Sequence, residues 1–152
     1  AIHWWKKAAE QGYAEAQYNL GTAYHAGKGV LQNSQTALEW YRKAARQGNA
    51  HAQYSLGFAY YSGNGVSRNL RQAVLWFREA ALQGLPEALM ALGTAYTYGQ
   101  GVPQNPIAAY ALFSQAAARG LDTQNALNTL SGAMTPEQIS QAKALGIEDI
   151  LK

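Results

Sequence analysis

Acid–base or metal chemistry in this chain would have to come from three histidines, two aspartates and seven glutamates, because cysteine is absent. The lack of cysteine removes disulfides, thiolate nucleophiles and thiolate-ligated zinc, yet assigns no compartment. A relay or shared metal needs its groups within hydrogen-bond or ligand reach. His25 and His51 do not meet that condition, since their places on successive parallel helices differ by ten residues, about 15 Å along the axes. Glu15, His51 and Glu87 recur at one register position and could form a row across neighbouring helices spaced about 8–10 Å apart. Acidic groups also favour a helix N-terminus for electrostatic reasons, and that reading is preferred to a cation site. Gly-x-Gly-Val, at Gly27, Gly63 and Gly99, lacks the Lys-Ser/Thr tail of a phosphate loop and follows no strand. It reads as a turn that uses glycine's left-handed conformations. No catalytic residue, metal ligand or cofactor site is expected.

What positions these residues is a repeat. Leu-Gly at Leu20, Leu56 and Leu92 recurs every thirty-six residues, as do Tyr24, Tyr60 and Tyr96. Ala-Ala at Ala8, Ala44, Ala80 and Ala116 is followed on the same step by Gly12, Gly48, Gly84 and Gly120. Each unit predicts two helices. The first, near 14–26, buries Ala16, Leu20, Ala23 and Tyr24 at helical spacing, and Gly21 permits close approach of a neighbour. The second, near 34–47, sets Ala37, Trp40, Tyr41, Ala44 and Ala45 against Glu39, Arg42, Lys43 and Arg46. Asn33, Asn69 and Asn105 cap its start, Pro106 suits the first helical position, and the glycines close its end. With 48% hydrophobic residues, 14% charged against a usual ~25%, and 29 alanines, the composition fits closely packed helices. No apolar run approaches the roughly 18 residues of a membrane span.

The run Ala-x-Gln-Tyr-x-Leu-Gly-x-x-Tyr from Ala52, then Gly-x-Gly-Val, then Trp-Tyr-x-x-Ala-Ala-x-Gln-Gly from Trp40, closely resembles the Sel-one-like repeat. That family is related to the tetratricopeptide repeat, with a slightly longer period. The departures are Asn in place of the usual Asp before the second helix, Leu112 at the Trp position and Leu89 at the Gln position. The fold implied is all-α: a right-handed superhelical solenoid of 36-residue helix-turn-helix repeats with a C-terminal helical cap. Residues 1–13 read as the second helix of a truncated repeat, so the chain is expected to open mid-protein. Repeats follow at 14–49, 50–85 and 86–121, and the cap at 122–152. Thr135-Pro136-Glu137-Gln138 predicts a capping box, and Ile139, Ala142 and Leu145 an apolar stripe that docks on the third repeat.

Aromatics in phase with the repeat read as core. Those that break phase are more informative. Phe58 stands where the other units have Thr22 and Thr94, Tyr61 where they have His25 and Thr97, and Tyr98 where they have Ala26 and Ser62. All lie on the first-helix face opposite Leu20 and Ala23, which lines the concave surface in the related families. Phe58, Tyr61 and Tyr98, helped by His25, Ser62 and Thr97, are therefore expected to form one contiguous partner patch, with Tyr18 and Tyr54 beside it. The convex wall of second helices and the loops around Lys28, Asn64 and Gln100 are the alternative locations.

The resemblance implies a noncatalytic scaffold or adaptor that binds a protein or peptide. Toxin neutralisation and host interaction are alternatives on the same scaffold. Some cysteine-rich relatives have been associated with antibiotic hydrolysis, but this chain has no cysteine, no Ser-x-x-Lys and no paired base. Self-assembly is a third reading, since Trp4 and Trp5 lack their cover, and the oligomeric state is left open. The net charge of +3 is too small for a nucleic-acid footprint, and Lys6, Lys7, Arg42, Lys43, Arg46, Arg71 and Arg78 are interleaved with Glu10, Glu39 and Glu79 as a solvated second-helix face. The residues give no localisation; only the resemblance tilts it toward bacterial periplasm or secretion.

Overall fold

The computed structural model describes residues 2–151, in which ten helices and no strand occur. They are α1 (Ile2–Glu10), α2 (Ala14–Ala26), α3 (Ser34–Arg46), α4 (Ala50–Ser62), α5 (Leu70–Leu82), α6 (Pro86–Tyr98), α7 (Pro106–Ala118), α8 (Gln124–Ser131), α9 (Pro136–Ala144) and α10 (Ile147–Leu151). Helices α2 to α7 have thirteen residues each, about 20 Å of axis. The chain divides into two compact units, residues 1–76 and 77–152, with α5 contributing to both.

The helix boundaries follow from local chemistry. The side chains of Asn33, Asn69 and Asn105 accept hydrogen bonds from the backbone N–H groups of Thr36, Gln72 and Ala108, each at 3.1 Å. These bonds satisfy donors that a first turn leaves unpaired. Asn49 does the same for α4, at 2.8 Å from Ala52 N, whereas α6 relies on Pro86 and has no side-chain cap. First helices end alike: Gly27, Gly63 and Gly99 are left-handed, with φ of 71°, 75° and 67°, and donate to Ala23, Ala59 and Ala95. The second glycine of each loop is also left-handed. Gln32, Arg68 and Gln104 each donate a side-chain N–H to the carbonyl seven residues back, at His25, Tyr61 and Thr97. Two residue types thus perform one task, and the three loops share their bonding.

Residues 1–76 pack on small side chains. Ala37, Leu38, Tyr41, Ala44 and Ala45 of α3 meet Ala52, Leu56 and Ala59 of α4. Leu20 of α2 is fully buried with Ala9 and Ala16. A Cβ on Gly21 would stand 2.8 Å from the Tyr41 ring, so glycine sets the approach of α2 to α3. The buried Gln17 and Gln53 donate to the carbonyls of Ala9 and Ala45, both at 3.2 Å, tying each first helix to the end of the preceding helix.

Residues 77–152 are built on Ala109, Ala111 and Phe113 of α7, joined by Leu130, Met134 and Ala142, with Ile139, Leu145 and Ile150 partly buried against them. Gly93 faces the Phe113 ring as Gly21 faces Tyr41. The capping box at Thr135 and Gln138 is formed, with Pro136 at the start of α9. Three details differ from the sequence reading. Gln124–Ser131 is a helix of its own, where the 36-residue register had faded. Leu145 lies just beyond α9, because that helix ends at Ala144. Arg78 is not a solvated side chain, since its guanidinium donates to the Leu151 carbonyl.

Candidate functional site

Repeat register brings α2, α3 and α4 around a groove of about 240 Å³ in residues 1–76. His25, Tyr54, Phe58 and Ser62 line it, above Tyr41 and Ser55. Phe58 is 52% exposed and sits at the rim, whereas Tyr41 is only 6% exposed and forms the base. Adjacent rings run along α4: Tyr54 and Phe58 have centroids 6.4 Å apart, and Phe58 and Tyr61 6.3 Å. Tyr61 follows Phe58 on α4 but does not line the groove, and the Arg68 guanidinium lies 6.0 Å from its ring centroid. Tyr18 packs between the Tyr41 ring at 5.8 Å and the His51 ring at 5.7 Å, a bracing position.

The base of the groove is polar. The Tyr41 hydroxyl donates to Thr22 Oγ1 at 3.4 Å, and the Thr22 hydroxyl donates to the Tyr18 carbonyl at 3.1 Å. Burial pushes the Tyr41 phenol above its ordinary value of 10.0, opposed by hydrogen bonds with Thr22 and Ser55. None of the groove's lining residues is Asp, Glu, Lys or Arg.

Residues 77–152 hold a second groove of about 290 Å³, formed by α6, α7 and α8. Thr97 and Tyr98 line it with Met90, Phe113 and Thr129, and Tyr98 is 70% exposed. Here α8 stands to α7 as α4 stands to α3. The expected partner residues therefore fall into two groups: His25, Tyr54, Phe58 and Ser62 around the first groove, with Tyr61 and Tyr18 flanking it, and Thr97 and Tyr98 at the second. Ser62 and Thr97 donate their hydroxyl hydrogens to the carbonyls of Phe58 and Gly93, at 2.9 and 2.7 Å, so toward a ligand both offer lone pairs.

In the sequence, Tyr41 is a packing residue in phase with the repeat, and Ser55 has no distinguishing signal. One signal was available for Tyr41: Phe77 and Phe113 occupy its place in the other units, so the hydroxyl is peculiar to the first. Glu15 and His51 are exposed at the starts of α2 and α4, as Glu87 is at the start of α6, and no group of three metal-ligating side chains forms among the described residues. Trp4 is 69% exposed against the edge of His3, and Trp5 is partly buried. No helix among the described residues is long and apolar enough to cross a membrane.

The model of the Sel1 repeat matches residues 1–13, 14–49, 50–85 and 86–121, well over half the chain. The chain belongs to the Sel1 repeat family. Sel1 repeats are helical scaffolds that generally mediate protein interactions and are generally noncatalytic. The chain is similar to a crystal structure of a protective antigen of uropathogenic Escherichia coli strains, with 39% identity over 94% of this chain and a TM-score of 0.87. It spans only 31% of that antigen's length. A Sel1 repeat protein of Oxalobacter formigenes is 34% identical, with 82% of this chain and 95% of that one covered and a TM-score of 0.76. The cysteine-rich protein B of Helicobacter pylori, at 22% identity, a TM-score of 0.64 and coverage of 88% and 92%, shares the fold. None of the curated proteins matches the chain. The fold class is thus the all-α solenoid type of these Sel1 relatives.

Proposed function

We propose that this Sel1 protein is a noncatalytic scaffold that holds a polypeptide partner in its first-helix grooves, with Phe58 the principal contact of residues 1–76 and Tyr98 that of residues 77–152. The observation that carries the reading is Phe58. A phenylalanine ring half in water gains little for the fold, and the other units place threonine at its position. Beside it lie Tyr54, His25 and Ser62, so a rigid aromatic rims a concave surface. Rigid aromatics lose little rotamer entropy on binding and commonly dominate interface energies. Preformed walls reduce the ordering cost of association. Residues 122–151 act in this reading as a cap that covers the apolar side of α7.

The test pairs binding with melting. Proteins retained by the native chain are identified by affinity purification, and each is titrated against Phe58→Ala, Tyr61→Ala and Tyr98→Ala. Loss of roughly thirtyfold in affinity for Phe58→Ala, at little-changed melting, supports the reading. Full affinity in a folded Phe58→Ala, Tyr98→Ala double variant moves the site to the second helices or to the loops near Lys28, Asn64 and Gln100.

A host-facing role has one observation in its favour, the 39% identity to an E. coli protein described as a protective antigen. Binding of the native chain to host-cell surface proteins, lost on Phe58→Ala, is its test.

A further inference from the structure

The groove of residues 1–76 contains a chemical difference that the scaffold does not require. Its base is Tyr41, where the other two units have Phe77 and Phe113. Phe113 is 4% exposed and fills its site against Gly93, so a phenyl ring suffices for packing. Placing a hydroxyl there, at 6% exposure, costs desolvation unless it is well bonded. Its bond to Thr22 is long at 3.4 Å, and Thr22 already directs its own hydrogen to the Tyr18 carbonyl. Ser55 is the second hydroxyl lining the groove beside Tyr41.

The geometry points to a recognition pocket for one partner side chain of the tyrosine type, an aromatic ring lying against Phe58 and Tyr54 whose single neutral hydroxyl bonds to Tyr41 and Ser55. This inference rests on the proposed binding role of the groove and names what the groove reads. Volume supports a side chain over a larger ligand, since about 240 Å³ falls below the roughly 300–1,000 Å³ of pockets for drug-sized molecules. Charge supports a neutral tip. With no Lys or Arg in the lining and His25 among the rim residues, a carboxylate at the base would lose its water without gaining a cation, and an ammonium would find no carboxylate. Aromatic walls favour an aromatic body through edge and offset contacts. A purely apolar ring would cover the Tyr41 and Ser55 hydroxyls without offering either a hydrogen-bond partner, so phenylalanine is disfavoured relative to tyrosine.

N-acetyl-tyrosinamide and N-acetyl-phenylalaninamide serve as probes, because blocking both ends removes charge and leaves the ring substituent as the difference. Each is titrated into the whole protein while backbone amide signals are followed by NMR. The expected result is saturable shifts at Ser34, Ser55, Phe58 and Ser62 in the millimolar range, with the tyrosine probe bound about fivefold more tightly. In Tyr41→Phe, which retains its packing because Phe113 fills the equivalent site, the two probes become equal. Ser55→Ala reduces the preference in part. Equal affinities in the native protein, or a preference that survives in Tyr41→Phe, overturn the assignment while leaving the groove as a binding site. Absence of saturable shifts at those residues overturns the groove reading along with it.

Discussion

The grooves of residues 1–76 and 77–152 are built from the same repeat positions yet differ at base and wall. The first has a phenol at its base and a full thirteen-residue α4 as its far wall; the second has Phe113 and the eight-residue α8. Exposed aromatics also differ in place, with Phe58 rimming the first and Tyr98 the second. Where a repeat keeps its backbone and changes only groove-facing atoms, the scaffold is held by one set of residues and recognition is free to vary in another. Leu20, Leu56 and Leu92 are constant and buried, whereas the position shared by Thr22, Phe58 and Thr94 changes residue type.

Changes at the core, the grooves and the caps would break or sharpen that contrast. Removing residues 135–152 strips Ala142, Leu151, Ile139, Leu145 and Ile150 from the second unit. We expect a loss on the order of 5 kcal/mol from the lost burial, read as a much lower melting temperature or as association in sedimentation. An unchanged, monomeric product would mean that the tail does not cap. Next is Gly21→Ala. Two carbons of the Tyr41 ring at 2.8 Å and the Ala37 carbonyl at 3.1 Å leave no room for a methyl group, so about 3 kcal/mol is expected, and less at Gly93, where the nearest contact is 3.0 Å. Equal or reversed losses in chemical denaturation would show that Tyr41 yields more easily than Phe113.

Phe58→Ala should weaken partner binding by about 2 kcal/mol, and Tyr98→Ala should affect only what the second groove holds. Titration of both variants against one partner decides whether that partner uses one groove or two. Asn49→Ala removes the α4 cap and should cost about 1 kcal/mol in denaturant unfolding. Replacing Leu85, which makes no side-chain cap at α6, should cost nothing through capping. The smallest effect concerns pH. The folded-state value of the Tyr41 phenol is raised, so its contribution is complete below pH 10 and declines as pH rises through that value. Between neutral pH and pH 11 the melting temperature of Tyr41→Phe should therefore fall less than that of the native protein.

Most of the architecture was legible because repetition multiplies weak signals. A single Asn before an apolar stripe is an ordinary cap candidate, but Asn33, Asn69 and Asn105 on one step fix where three helices begin. The same reasoning located the Gly-x-Gly-Val turns. It failed at α8, where no counterpart to Leu92 follows at the same step: Asn128 stands there, exposed, and burial passes to Leu130 and partly to Leu127. Single-step periodicity cannot follow such a slip. The grooves were half legible. Out-of-phase residues pointed to Phe58 and Tyr98, which line the two grooves, but a pocket base is shared by three helices and so has no signature along the chain. Tyr41 looked like packing because its ring is packing; only its oxygen is not. Arg78 was misread for a related reason, since its acceptor lies seventy-three residues away.

The glutamines at positions 17 and 53 bear on how such arrays grow by duplication. Each reaches across a junction to a carbonyl eight residues earlier, Ala9 or Ala45, so it serves the boundary between modules more than the module that encodes it. A copied segment inserts cleanly only where the preceding module presents that carbonyl at the same spot. The equivalent position of the next module is the apolar Leu89, at zero exposure, which cannot make that bond. Recombination that placed the module beginning at Pro86 behind Ala45 would keep the helices but lose the hydrogen bond, making the order of modules itself a heritable, selectable trait.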